Sequence, residues 1–460
     1  MKMEVQYGGV AVIGGGIAGL TAAWLLGRQG RGAVVFEQED EAGGNIRSSR
    51  RDGYTVERGP YCFMRSSRSV WRLLRDADIE DRIVGATALA TKRFVYRDGK
   101  LHAMPLDPVS FARSKLFSWE TKLRLLAEPF KKGGAEENET AWDFFERRFG
   151  EEFVTYAISS FVSGVYAGDV KQLGAKAAFP KFWAFEKEYG SMIRGAMNFM
   201  LKRREEEHRA GIHPRKGLWS FQDGLGFITA WLAGRLGDSV RPSSRVRSLK
   251  KLSGGIAVQG DGGEEAFKKV ILAVPPSAAA EILAQDFPEA AAIFSSIPMS
   301  PVVVVQWLPG GCGDPFPEGF GFLIPPRYRM RSLGTIFYSH IFPHMSPEKK
   351  PRLYGTFMGG AHNPNVVKLD DDELASSLRD EHGRLLGKEV PPPEVINIVR
   401  HPKAIAQLLP GHPEKIKMAK EILARHNIFP AGGFLGGVGM DHAVESAYSA
   451  VDEITGGNRS

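Results

Sequence analysis

The chain has 460 residues, 43% of them hydrophobic, so it exceeds the size of a single core and can bury a large cofactor across more than one domain. Its 60 Lys and Arg against 53 Asp and Glu give a net charge of +7, which favours an anionic ligand or membrane surface, but the basic residues are too dispersed for a nucleic-acid stripe. The two cysteines, Cys62 and Cys312, are 250 positions apart, which excludes a disulfide framework and a CxxC metal or redox motif and fits a reducing compartment.

Residues 5–27 carry no charged side chain and are long enough to cross a bilayer. Glu4 in the head and the glycines that interrupt the run argue against a signal peptide or a membrane helix. The pattern instead predicts a buried strand over 10–13, a turn Gly14-x-Gly16-x-x-Gly19 and a helix over 17–27. Gly14 makes the tight turn, Gly16 admits a pyrophosphate to the backbone, Gly19 lets helix and strand pack closely, and the helix N-terminus faces phosphate oxygens. A second strand follows at 33–36, and Glu37, 18 residues after Gly19, is placed to accept a hydrogen bond from a ribose hydroxyl. This order of strand, turn, helix, strand and acid is a Rossmann-type dinucleotide site.

A second glycine pair, Gly43-Gly44, follows within a few residues, where backbone can again approach phosphate. It resembles the second signature of the FAD-containing amine oxidase superfamily, although Asn45 stands where arginine is common and Arg47 comes two positions later. In that superfamily the residue matching Val246 meets adenine through its backbone. The apolar run 267–276, closed by prolines, predicts a strand buried on both faces of a parallel sheet. Near the end, "NIFPAGGFLGGVGMDHAVESA" predicts a strand, a glycine-rich turn and a helix, and the resemblance puts Gly433, Gly439 and Met440 at the flavin edge.

These patterns imply an α/β chain whose discontinuous, Rossmann-like FAD-binding domain is assembled from residues 1–90, 211–285 and 400–460. Residues 91–210 read as a helical insertion. Thr140 predicts an N-cap and Gly150 a stop, while the segment 111–134 mixes six basic and two acidic residues with Phe111, Leu116, Phe117, Trp119, Leu123, Leu125, Leu126 and Phe130. Such a segment either lies on an anionic membrane face or covers a core with a solvated basic side. Residues 286–399 hold short β-type runs between prolines and glycines and predict an α+β substrate domain with an antiparallel sheet. The pair His340-x-x-x-His344 is interrupted by Pro343 with no adjacent acid, so no metal site is expected.

Over essentially its full length the chain resembles the oxygen-dependent, FAD-containing protoporphyrinogen oxidases. The stretches "AVIGGGIAGL", "AGGNIRS", "KRFVYRDGKLHAMP", "AIAQLLPGH" and "GGVGMDHAVESA" carry the likeness, and the block 161–191 with GVYAGD followed by FP is the most specific. The resemblance implies oxidation of a porphyrinogen to a porphyrin in haem biosynthesis by three two-electron steps to FAD, each ended by O2 with release of H2O2. Hydride transfer of that kind asks for a large apolar slot rather than a nucleophile and base, and no such constellation appears. The likeness assigns Arg93 to a substrate propionate, Phe320, Leu323 and Met358 to the tetrapyrrole rings, and Gly164 and Gly168 to the block beside them. Met440-Asp441-His442 departs from the Asn-Asp-Cys of many relatives, as Ala406 does from a usual proline.

Three other readings stay open: oxidation of coproporphyrinogen III, with four carboxylates, on the same fold; a general amine oxidase, disfavoured because no cysteine follows Cys312; and a non-catalytic tetrapyrrole carrier that retains FAD. The expected location is the cytoplasm or the cytoplasmic face of a membrane, as a peripheral protein without signal peptide or transmembrane span. Membrane contact and a homodimer are the candidate assemblies.

Overall fold

The computed structural model describes residues 8–131, 133–209, 217–310 and 314–456. Glu4, Cys312 and the expected domain boundary at 210/211 lie outside them.

Among the described residues, the first of two large sheets has seven strands from three distant stretches of chain, in the order Val240–Arg241, Ala33–Phe36, Gly8–Ile13, Gly263–Leu272, Gly255–Gly260 and Val246–Leu252, with Ile428–Pro430 also paired to Gly263–Leu272. Gly8–Ile13 runs parallel to both neighbours, with Val10 opposite Ala33 on one side and Lys269 on the other. Its continuous apolar run follows from burial on both faces. Val10 and Val12 pack with the helices Ile17–Arg28 and Met440–Thr455, whereas Ala11 and Ile13 pack with the helices Pro276–Leu283 and Pro288–Ser295. Gly14 has φ +103°, and a Cβ at Gly19 would lie 2.0 Å from the Gly14 carbonyl oxygen, so the first helix can pack this closely only because both residues are glycine.

The second sheet also has seven strands, ordered Glu394–Ala406, Met299–Leu308, Tyr354–Gly359, Ser332–Ile336, Gly321–Leu323, Arg93–Arg97 and Lys100–Ala103. It is mixed rather than antiparallel throughout, because Gly321–Leu323 runs parallel to Arg93–Arg97. The hairpin 93–103 and residues 400–406 thus belong to this sheet, whereas the sequence pattern assigned them to the helical insertion and the cofactor domain. Strand length hid the join: Gly321–Leu323 offers three residues, too few for a period of two to be read.

The two faces of the second sheet have different covers. Tyr96, Val303, Val305, Trp307, Phe322 and Met358 pack under the helix Asp371–Leu386, while Val95, Val302, Val304 and Leu333 face the helical insertion. Within that insertion Thr140 caps the helix Ala141–Phe149 by accepting from the Asp143 backbone N–H at 3.2 Å, and Gly150 ends it at φ +87°. The insertion's core holds an ion cluster in which Arg148, 1% exposed, bridges Glu128 at 2.7 Å and Glu186 at 3.5 Å. Glu128 also accepts from the Met192 backbone N–H at 3.0 Å and the Ser191 hydroxyl at 2.6 Å, capping the helix Met192–Arg209 and satisfying a charge that burial alone would not tolerate.

Candidate functional site

A cavity of about 570 Å³ opens along the carboxyl ends of the parallel strands of the first sheet and runs to the near end of the second. Gly14, Gly16, Glu37, Gly43, Gly44, Val246, Gly433, Gly439 and Met440 all line it. Nine sequence-predicted positions, distant along the chain, thus meet on one surface.

Local geometry explains their meeting. The Gly14 backbone N–H donates to the Phe36 carbonyl at 2.8 Å, which ties the turn to the second strand and brings Glu37 beneath it. The Glu37 carboxylate then accepts from the backbone N–H groups of Gly15 at 2.7 Å and Glu39 at 2.8 Å. Gly43 donates to the Gly15 carbonyl at 2.8 Å, and a Cβ on Gly44 would lie 3.2 Å from the Gly16 Cα, so the two glycine turns are stacked. A Cβ on Gly16 itself would meet nothing within 4 Å and would project into open space. The helix Ile17–Arg28 has no side-chain N-cap, and Gly16, Ile17 and Ala18 line the cavity, so the unsatisfied first-turn N–H groups are those nearest its space. The helix Met440–Thr455 begins at the same cavity, at Gly439, and is likewise without a side-chain cap. Two uncapped helix starts, a buried carboxylate and backbone-lined walls fit a dinucleotide with a pyrophosphate at its centre and a polar ring edge at one end.

Gly19 and Arg47 do not line the cavity. Gly19 acts through helix packing, as its motif role requires. Arg47 pairs with Glu39 at 3.0 Å and with Glu41, bracing the loop after the glycine pair. Arg58, which the sequence reading passed over, does line the cavity. Its guanidinium grips Glu39 through two hydrogen bonds of 2.8 and 3.1 Å and holds that carboxyl below its usual pKa range. No spacing rule marked Arg58, because its partner is set by the return of the hairpin Ser48–Arg51/Tyr54–Glu57.

The substrate assignments divide. Arg93 is exposed, with its guanidinium carbon 4.8 Å from the Phe320 ring centroid, and Gly164 abuts Leu323 so closely that a Cβ would fall 2.3 Å from the Leu323 side chain. Arg93, Leu323 and Gly164 therefore share the sheet face that meets the insertion. Gly164 lies in a π-helical stretch, Val162–Tyr166, of the kind that recurs at functional sites. Gly168 is buried against Gln407, whose amide donates to the Tyr166 carbonyl at 2.9 Å, so it gives clearance for packing. Met358 does not join them: it is fully buried on the opposite face, among Trp307, Phe322 and Leu374. Strand periodicity puts its neighbour Phe357 on the face toward the insertion, with Val302, Val304 and Leu333.

His340 has an acid after all, supplied from a distance by Asp314 at 3.0 Å, while Gly319 donates its backbone N–H to the other ring nitrogen at 3.3 Å. Among the described residues no three His, Cys, Asp or Glu side chains cluster as metal ligands. At the C-terminal departure, the Asp441 carboxylate accepts from Ser69 and Val70 at 2.8 and 3.1 Å, capping the helix Arg68–Asp76, and the His442 ring packs over Gly437.

The family model for flavin-containing amine oxidoreductases matches residues 17–455. The protoporphyrinogen oxidase of rice chloroplasts (Oryza sativa subsp. japonica) is 32% identical over 96% of this chain and 87% of its own. The coproporphyrinogen III oxidase of Bacillus subtilis is 25% identical over 96% and 97%. A solved structure from Exiguobacterium superposes with a TM-score of 0.82 at 22% identity, covering 98% of this chain and 99% of that one. The chain belongs to the flavin-containing amine oxidoreductases and, within them, to the protoporphyrinogen oxidase family; it is an oxidoreductase that binds FAD.

Proposed function

We propose that this enzyme oxidises protoporphyrinogen IX to protoporphyrin IX in haem biosynthesis. The six electrons leave in three two-electron steps, and three O2 are reduced to three H2O2. The observation that carries this reading is the near full-length similarity to protoporphyrinogen oxidases, 32% identical in the rice enzyme, joined to a sheet face that meets the cofactor cavity.

Bound FAD supplies a two-electron acceptor that oxygen can restore. The chain's own residues hold and screen it: Glu37 takes a ribose hydroxyl, the N–H groups after Gly16 and Gly44 face the pyrophosphate, Val246 meets adenine, and Gly433, Gly439 and Met440 border the ring. Arg93 offers a planar guanidinium to a propionate at the open edge of the second sheet. Leu323, Phe320 and Phe357 supply the apolar wall, with Gly164 admitting the insertion close enough to exclude water. No side-chain base is needed, since pyrrole nitrogens can release their own protons.

Peripheral membrane contact belongs to the same proposal. Trp119, Leu123, Leu126 and Phe130 are 63–88% exposed and fall on one face of the helix Trp119–Ala127 and the turn after it, beside Arg124 and Lys131. Leu116 and Phe117 of the same segment are buried, so it both covers a core and presents an apolar stripe. Among the described residues no helix is long and apolar enough to cross a membrane.

The Bacillus subtilis relative favours a second reading, coproporphyrinogen III as substrate. Side-by-side aerobic assays with both porphyrinogens, following porphyrin fluorescence and peroxide, decide between them. Preference for protoporphyrinogen, with Arg93→Ala raising KM about tenfold (about 1.4 kcal/mol), is the expected outcome. Preference for the four-carboxylate substrate installs the second reading, and formation of neither porphyrin nor peroxide from either substrate, with FAD bound, removes both.

A further inference from the structure

We infer that Lys403 is a positive charge beside the flavin ring that raises the electron affinity of the bound cofactor. The inference goes beyond the proposed substrate and rests on FAD binding alone.

Three observations converge on this lysine. The first is a break in strand pairing. Ser300 lies opposite Ile405 and Val302 opposite His401, so Pro301 on one strand faces Pro402, Lys403 and Ala404 on the other. The Pro301 carbonyl is taken instead by the Gly360 backbone N–H at 2.8 Å. Two surplus residues therefore bulge from the sheet edge, a device that re-aims side chains next to active sites. The bulge brings Lys403 and Ala404 to the wall of the cofactor cavity.

The second observation is charge. Among the described residues four cationic ones line the cavity: Arg58, Arg245, Arg247 and Lys403. Arg58 is paired with Glu39 at 2.8 Å, Arg247 with Asp261 at 2.6 Å and Arg245 with Glu281 at 4.0 Å. Among the described residues the exposed Lys403 makes no ion pair.

The third is position. Ala404 and Ile405 pack with Val302, Val304 and Leu333, the face that meets the insertion, so Lys403 stands where the cavity adjoins the second sheet. Glu37 and Val246 mark the other end, within the first sheet. A cation at the second-sheet end faces the redox ring rather than the adenosine. Two-electron reduction adds negative charge to that ring, and an unpaired ammonium lowers the free energy of the reduced form more than that of the oxidised form.

The test uses the FAD-loaded protein and needs no porphyrinogen. Sulfite adds to an oxidised flavin ring and places negative charge on it, so its affinity reads the same electrostatics. Lys403→Gln is expected to weaken sulfite binding at least tenfold and to lower the two-electron midpoint potential by about 30 mV, which is the same factor of ten. Lys403→Arg should retain both values. Unchanged sulfite affinity and potential in Lys403→Gln would overturn the inference. So would a variant that sheds FAD while the retained fraction keeps the wild-type potential, since the charge would then serve the pyrophosphate.

Discussion

The two seven-stranded sheets build their surfaces from different materials. Around the first, the cavity wall is largely main chain, made by glycine turns, two uncapped helix starts and the carboxylate of Glu37. Around the second, both faces are carpeted with side chains, and a single step along a strand moves a residue from beneath the helix Asp371–Leu386 to beneath the insertion. A backbone-built surface fails by steric exclusion, whereas a side-chain surface fails by degrees.

The largest expected effect therefore lies in the first turn. Gly19→Ala puts a carbon about 2.0 Å from the Gly14 carbonyl oxygen, and we expect loss of more than about 4 kcal/mol and no soluble yellow protein. Gly16→Val separates packing from binding, because its side chain projects into open space. That variant should fold with an unchanged circular dichroism spectrum and carry no flavin absorbance. Equal loss of fold in both variants would break the distinction between clearance and ligand approach.

A graded effect is expected in the second sheet. Met358→Ala opens a hole among Trp307, Phe322 and Leu374 and should cost about 2–5 kcal/mol in denaturant titration. Its folded fraction should keep the wild-type KM. Phe357→Ala should cost less stability, because Phe357 is partly exposed, and should raise KM for the porphyrinogen several-fold. The reverse pattern would mean that the substrate approaches the face under the helix Asp371–Leu386.

The same contrast explains what could be read from the sequence. Gly14, Gly16, Gly19, Gly43 and Gly44 are legible because few residues tolerate φ +103° at Gly14 or a neighbour 2.0 Å from Cβ at Gly19, and their spacing is fixed by local chain geometry. Thr140 and Gly150 were legible for a similar reason, since a cap acts within one turn. Met358 was not, because Phe357 and Met358 are both apolar and only the cover on each face tells them apart. Arg58, Lys403 and the His340–Asp314 pair depend on a hairpin return, a bulge and a contact between residues 26 apart, none of which leaves a local pattern.

The smallest predicted effect is hidden in the wild-type protein, and it contrasts the two halves through opposite charges. On the cofactor side, the Glu57 carboxyl is buried, accepts from the Ser48 hydroxyl at 2.6 Å and the Leu225 N–H at 2.9 Å, and is pushed up by burial to about 7 from 4.5. Between those values the folded chain keeps a proton that the unfolded chain has lost, so this group's contribution to stability falls as pH rises and levels off above about 7. Behind the second sheet, burial beside Trp307 pushes the His382 imidazole down to about 3 from 6.5. There the unfolded chain holds the extra proton, so the contribution of His382 is complete above 6.5 and is lost as pH falls toward 3. From pH 4.5 to 6.5 the two slopes, each about 1.4 kcal/mol per pH unit at most, oppose one another and cancel. Glu57→Gln should uncover a stability that rises with pH across this window, and His382→Phe one that falls, both read from chemical denaturation at several pH values. If the wild-type profile itself rises with pH across this window and Glu57→Gln leaves that rise unchanged, Glu57 is ionised in the folded protein, and burial in the cofactor half is outweighed by its two hydrogen bonds.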